Sequence, residues 1–73
     1  MLNGIKPEKA IRAFEKAGGV VRKRGSGSHV VIKMPNGQLI SIPDHGEIKS
    51  GLLQAAIRKA GLTTDEFLSF LRS

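Results

Sequence analysis

Two alternating runs of apolar residues, joined by a short turn, restrict the fold of this chain more than any other feature. Side chains alternate between the two faces of a β-strand, so residues 29–34 and 38–42 each place one apolar set on a single face. Pro35-Asn36-Gly37 separates the runs, because proline presets φ and Asn-Gly tolerates positive φ, and this predicts a hairpin. Pro43 is expected to end the second strand. The covered face should carry Val30, Ile32, Met34, Ile40 and Ile42, and the open face His29, Val31 and Lys33.

A first helix is predicted to begin at Pro7, since proline is well placed at the first helical position. Gly18-Gly19 should end this helix, because glycine accepts the left-handed conformation of a helix C-terminus. The apolar residues recur at helical spacing, while the lysines and arginines lie largely on the opposite side. The expected core face consists of Ala10, Ile11, Phe14 and Ala17.

Two further helices are predicted after the hairpin. Ser50 is a suitable N-cap for one helix, which Gly61 ends. Thr63 and Glu66 have the spacing of a capping box and predict the start of a short last helix. The apolar residues expected to face the core are Leu52, Leu53, Ala56, Ile57 and Ala60 in the first of these helices, and Phe67, Leu68, Phe70 and Leu71 in the second.

A short strand is also expected over residues 20–24, leading into a turn of small residues from Gly25 to Ser28. The predicted order is therefore helix, three strands, helix and short helix. This order favours an α+β fold in which a three-stranded antiparallel sheet is covered by helices on one face. Residues 1–73 are too few for more than a single domain.

The distribution of charge indicates a polyanionic partner. The net charge is +6 and the isoelectric point is about 10.4. Residues 1–33 carry eight cations and two glutamates, whereas residues 34–73 carry four cations and four carboxylates. The excess positive charge therefore lies in the half that contains His29, and such an excess favours nucleic-acid phosphates. Neither a signal peptide nor a membrane-spanning segment is evident, which makes a cytoplasmic protein the default.

His29 is the candidate catalytic residue. Imidazole ordinarily titrates near pH 6.5, so it can accept or donate a proton during cleavage of RNA. Arg22, Lys23, Arg24 and Lys33 are candidate phosphate-binding residues, and the small residues up to Ser28 would let an RNA backbone come close. The alternative is that residues 25–28 form an ordinary turn before an exposed histidine.

Other kinds of site find little support. The chain has no cysteine, which excludes disulfides and cysteine-based zinc sites. His45 lies near Asp44 and Glu47, but these residues lack a recognised metal-binding spacing, so a loop histidine without metal is favoured. No serine lies in a nucleophile elbow, and residues 25–28 are not followed by the Lys of a P-loop. We therefore expect no metal and no cofactor.

Several motifs, in order along the chain, resemble the HicA family of small bacterial and archaeal toxins. They are Gly27-Ser28-His29, Pro35-Asn36-Gly37, residues 42–48, Gly51-Leu52-Leu53 and residues 59–67. The resemblance implies a fold like that of double-stranded-RNA-binding domains, ribosome-independent cleavage of messenger RNA, and a HicB antitoxin as partner. The family's functional histidine corresponds to His29.

The sequence departs from the family pattern at two positions. Family members often carry a second histidine directly after the first and an aromatic residue two positions further on, where this chain has Val30 and Ile32. The second proton-transfer group is therefore unassigned.

Three hypotheses remain open at this point. The first is a metal-independent endoribonuclease toxin with His29 as general acid or base. The second is a non-catalytic RNA-binding module with the same basic face. The third is that the open strand face mainly docks an acidic antitoxin. The oligomeric state is not indicated by the sequence.

Overall fold

Three strands and three helices make up the molecule. The computed structural model describes residues 4–23, 29–44 and 46–73. The elements in chain order are α1 (Pro7–Lys16), β1 (Val20–Lys23), β2 (His29–Lys33), β3 (Leu39–Pro43), α2 (Ser50–Lys59) and α3 (Thr64–Arg72). The strands form one antiparallel sheet in the order β1-β2-β3. This arrangement confirms the predicted α+β fold and is consistent with a double-stranded-RNA-binding-domain-like topology.

The helix termini follow the predicted signals, except at α2. Pro7 is the first residue of α1. The Thr63 hydroxyl accepts a hydrogen bond from the Glu66 backbone N–H at 3.1 Å, and the Thr63 N–H donates to the Glu66 carboxylate at 2.8 Å. Ser50, predicted to be an N-cap, is instead the first helical residue, and Lys49 occupies the cap without a side-chain hydrogen bond. A capping side chain must belong to the last residue with an extended backbone, and here that residue is Lys49, so the Ser50 hydroxyl lies one position too late to cap α2.

The core lies between the helices and one face of the sheet, as the alternation of β2 and β3 predicts. Val30, Ile32 and Ile42 are fully buried, whereas His29 and Lys33 are exposed. The largest fully buried side chains of the helical layer are Phe14, Leu53, Ile57 and Phe67.

Helical spacing overestimated how much of the helical layer is buried. Leu52 was expected in the core but is 43% exposed, because its neighbour Leu53 occupies the side of α2 that faces the sheet. In α3 only Phe67 is buried. Leu68, Phe70 and Leu71 are half-buried at the edge of the core.

The two glycines after α1 have different functions. Gly18 has φ +102°, the left-handed conformation expected after a helix. Gly19 has no such φ, but a Cβ there would lie 2.8 Å from both an Ile32 methyl and the Met34 sulfur. Gly18 therefore ends the helix, and Gly19 allows the chain to pass close to β2.

The turn between β2 and β3 is tied to the end of α2. Gly37 has φ +87°, while no described residue other than glycine has positive φ, so Asn36 does not use the conformational freedom predicted for it. Instead the Asn36 side-chain NH₂ donates to the Lys59 carbonyl at 3.0 Å, and its side-chain oxygen accepts from the Gln38 N–H at 3.0 Å. Asn36 thus links the hairpin to one of the last carbonyls of α2.

Asn36→Ala is expected to lower the free energy of unfolding by about 1–2 kcal/mol, because it removes two hydrogen bonds that each contribute about 1 kcal/mol. Asn36→Asp keeps the acceptor for Gln38 but places a carboxylate beside the Lys59 carbonyl, at the negative end of the helix dipole, and should also destabilise. Urea denaturation measures both effects. Gln38→Ala is the matched control, since Gln38 contributes its backbone to the turn. Equal stability of Asn36→Ala and Gln38→Ala would contradict this function of Asn36.

Candidate nucleic-acid interface

The face of the sheet opposite the helices carries the predicted site. Its register is known from both neighbours of β2, since His29 lies opposite Pro43, and Lys33 lies opposite Leu39 on one side and Val20 on the other. Residues directly opposite one another share a face. His29 and Lys33 are therefore on the open face, with Val31 half-buried between them.

The β1–β2 pairing contains an irregularity at Arg22. Val21 pairs with Ile32, but the next pair joins Lys23 to Val31, so Arg22 is the extra residue of the shift. In an unbroken ladder position 23 would lie opposite Val30, which is in the core. The shift aligns it with Val31 instead, and a β-bulge is a known way to redirect side chains within a strand.

Arg22 and Lys33 line the same shallow depression of about 370 Å³. Its other lining residues are Val31, Gly37 and Leu39. Two cations from different strands are thus brought together over an aliphatic surface, which suits a phosphate beside a less polar group.

His29 does not line this depression. It lies at the other end of β2, four residues from Lys33, and a strand rises about 3.3 Å per residue. The two Cα atoms are therefore about 13 Å apart along the strand, so His29 and Lys33 lie at opposite ends of β2. An RNA strand lying along β2 would meet His29 and Lys33 at different nucleotides.

The remaining predicted site residues lie wholly or partly outside the described residues. Arg24 and Ser28 lie outside the described residues, as does the side chain of Lys23, whose backbone belongs to β1. His45 also lies outside the described residues. The assignment of Lys23, Arg24 and Ser28 to phosphate binding stays a prediction.

In the part of the sequence that forms the sheet, every residue with a formal charge is a lysine or an arginine. No aspartate or glutamate occurs between residues 20 and 43, a stretch that contains four cations and spans all three strands. An excess of cations on a surface creates a positive potential that attracts polyanions. Among the described residues, no group of three or more histidine or carboxylate side chains is placed to hold a metal ion.

Apart from Val31, the aliphatic residues of this face were not predicted from the sequence. Leu39 is 50% exposed and Val20 is 60% exposed, and these two residues flank Lys33. The alternation in β3 does signal an outward Leu39, because Ile40 and Ile42 occupy the core positions. The interface is therefore mixed, with cations between exposed aliphatic side chains.

Comparison with known proteins bears on the whole arrangement. No curated protein matches the chain in sequence. A family model described as the HicA toxin of bacterial toxin-antitoxin systems matches residues 7–62. In the described ranges, every helix is too short or too polar to cross a lipid bilayer. The family match extends from the first turn of α1 past the end of α2, so it includes the whole sheet with His29. The chain therefore belongs to the HicA toxin family of toxin-antitoxin systems.

Proposed function

We propose that this protein is a metal-independent endoribonuclease that cleaves messenger RNA, with His29 as the proton-transfer residue. The observation that carries the proposal is the position of His29, exposed at the end of β2 on a sheet face whose sequence contains cations but no carboxylates. Membership of the HicA family supports a toxin whose partner is a HicB-like antitoxin. We further propose that residues 1–73 form one HicA-like domain that acts in the cytoplasm.

The reaction assigned to this face is internal transesterification. The 2′-oxygen of one nucleotide attacks the adjacent phosphorus, the bond from phosphorus to the 5′-oxygen breaks, and a 2′,3′-cyclic phosphate and a 5′-hydroxyl are formed. His29 either removes the 2′-hydroxyl proton or protonates the leaving 5′-oxygen. Cations close to the reacting phosphate stabilise its developing charge, and Arg22 and Lys33 hold neighbouring phosphates.

The two departures from the family pattern fall on the core side of β2. Val30 and Ile32 are both fully buried. A histidine at position 30 of this structure would point into the core, away from His29. The departures therefore remove no polar group from the open face, and they do not weigh against a single-histidine mechanism.

A second function is favoured by a specific observation. The exposed Leu39 and Val20 beside Lys33 give the face apolar contact area that phosphate binding does not need. Such a mixture suits docking of an acidic protein surface, so the antitoxin is proposed to cover the same face. A non-catalytic RNA-binding module would use the same cations without requiring His29.

The experiment is incubation of the purified protein with a long unstructured RNA in excess chelator, with products separated on a gel. We expect cleavage in chelator, products ending in 2′,3′-cyclic phosphate, and no cleavage of the same sequence made as DNA, since DNA lacks the attacking 2′-oxygen. If the protein binds the RNA but never cuts it, the nuclease proposal fails and the non-catalytic RNA-binding module takes its place. Cleavage that requires added Mg²⁺ would exclude the metal-independent mechanism.

A further inference from the structure

A groove on the helical layer has the features of a second ligand site. It lies between α1 and α3, has a volume of about 190 Å³, and shares no lining residue with the open sheet face. Its lining includes Lys9, Arg12, Lys16, Phe70 and Ser73.

Three cations line one side of this groove. Lys9, Arg12 and Lys16 are all exposed and follow one another at helical spacing, so they form a single row along α1. Glu8 and Glu15 of the same helix do not line the groove. The Lys16 ammonium donates to the Ser73 carbonyl oxygen and to the Ser73 hydroxyl, which places it at one end of the groove. The row suits a ligand with several negative charges.

The groove also contains the one phenylalanine that is not fully buried. Phe14 and Phe67 are fully buried, and their ring centroids lie 4.9 Å apart in the core. Phe70 is half-buried and lines the groove beside the cations. An accessible aromatic ring next to a row of cations is the arrangement on which single-stranded nucleic acids bind, with a base on the ring and phosphates on the cations.

The size of the groove favours RNA over an acidic helix of a partner protein. Pockets for drug-sized ligands are about 300–1,000 Å³, so about 190 Å³ corresponds to one small group such as a nucleobase. An amphipathic helix would instead need a groove that holds side chains from several successive turns.

We propose that the α1–α3 groove binds single-stranded RNA, with one base against Phe70 and the flanking phosphates on Lys9, Arg12 and Lys16. The inference rests on the proposed function in that RNA is the ligand, but it does not require cleavage. The groove would hold RNA outside the catalytic face and increase affinity for long substrates.

The test is fluorescence anisotropy of a labelled 12-nucleotide oligouridine titrated with full-length protein carrying His29→Ala, from about 50 to 200 mM salt. Changing Lys9, Arg12 and Lys16 together to glutamine should weaken binding at least about tenfold. It should also reduce the slope of log affinity against log salt concentration by about 2, since each phosphate contact contributes about 0.7. The double change Lys9→Gln/Arg12→Gln, which keeps the Lys16 contact with Ser73, should weaken binding at least about fivefold. Thermal unfolding of each variant establishes that it is folded.

The matched control removes the same charge from α2 and the residue before it, through Lys49→Gln, Arg58→Gln and Lys59→Gln. It should weaken binding less than about threefold, since these residues lie outside the groove. Equal losses in the control and in the groove variants would show that only net charge matters and would overturn the site.

Phe70→Leu distinguishes the contribution of base stacking to RNA affinity from that of the cations. It should weaken oligouridine binding about fivefold, because a leucine side chain cannot stack on a base, but should leave binding of inorganic polyphosphate unchanged. Tighter binding of an oligoglutamate peptide than of RNA at the groove would assign the site to an acidic protein instead. If the wild type does not cut RNA but the groove variants lose affinity, the nuclease proposal fails and the groove proposal stands. If the wild type cuts RNA but the groove variants bind RNA as tightly as the protein with an intact groove, only the groove proposal fails.

Discussion

Replacing His29 with alanine is expected to reduce the rate constant of RNA cleavage at least about 100-fold, the contribution typical of a positioned general acid or base. RNA affinity should change less than about twofold, since the phosphate-binding cations Arg22 and Lys33 remain. Single-turnover cleavage with excess enzyme measures the chemical step, and anisotropy with a 2′-deoxy analogue of the same sequence measures binding without cleavage.

The matched comparison is Arg22→Gln/Lys33→Gln, which removes the two cations of the depression on the open face. Because these groups hold phosphates rather than transfer protons, this variant should lose affinity, with a salt dependence reduced by about 1.4 ions. Its single-turnover rate at saturating protein should fall less than that of His29→Ala. Full cleavage by His29→Ala would remove this residue from the mechanism and leave the nuclease without an assigned proton-transfer group.

Phe67→Ala is expected to lower the free energy of unfolding by about 3–5 kcal/mol, the usual cost of truncating a buried phenylalanine. Phe67 is fully buried and its ring packs on Phe14, so it attaches α3 to α1. A protein of this length has a total stability of about 4–11 kcal/mol, so the substitution removes a large part of it. Urea denaturation followed by circular dichroism measures the change.

Leu68→Ala is the matched control within α3, since Leu68 is only half-buried. Its loss should be clearly smaller than that of Phe67→Ala. Phe67→Leu, which retains most of the apolar volume, should fall between wild type and Phe67→Ala. Equal effects of Phe67→Ala and Leu68→Ala would show that α3 is not held by the aromatic pair.

Local sequence signals were sufficient for the elements and for the two faces of the sheet. Pro7, the capping box of Thr63 and Glu66, and the alternation in β2 each act within a few residues, so each predicts its structure without knowledge of the rest of the chain. The same alternation places His29 and Lys33 on the open face. The motifs that resemble the HicA family were also readable from the sequence, and the match over residues 7–62 confirms the family.

Tertiary structure decided which residues from distant parts of the chain share a surface. The pairing of β1 with β2 brings Arg22 beside Lys33, Asn36 contacts the end of α2, and the packing of α3 on α1 leaves Phe70 at the edge of a row of cations. Leu52 is a further example: helical spacing predicts that it is buried, but in the packed structure Leu53 faces the core and Leu52 is exposed. Periodicity defines the faces of one element, whereas the neighbours of that face depend on how the elements pack. For this reason the sequence was enough to predict the fold class, the family and the candidate histidine, whereas the packing of the elements was needed to bring Arg22 beside Lys33 and to form the α1–α3 groove.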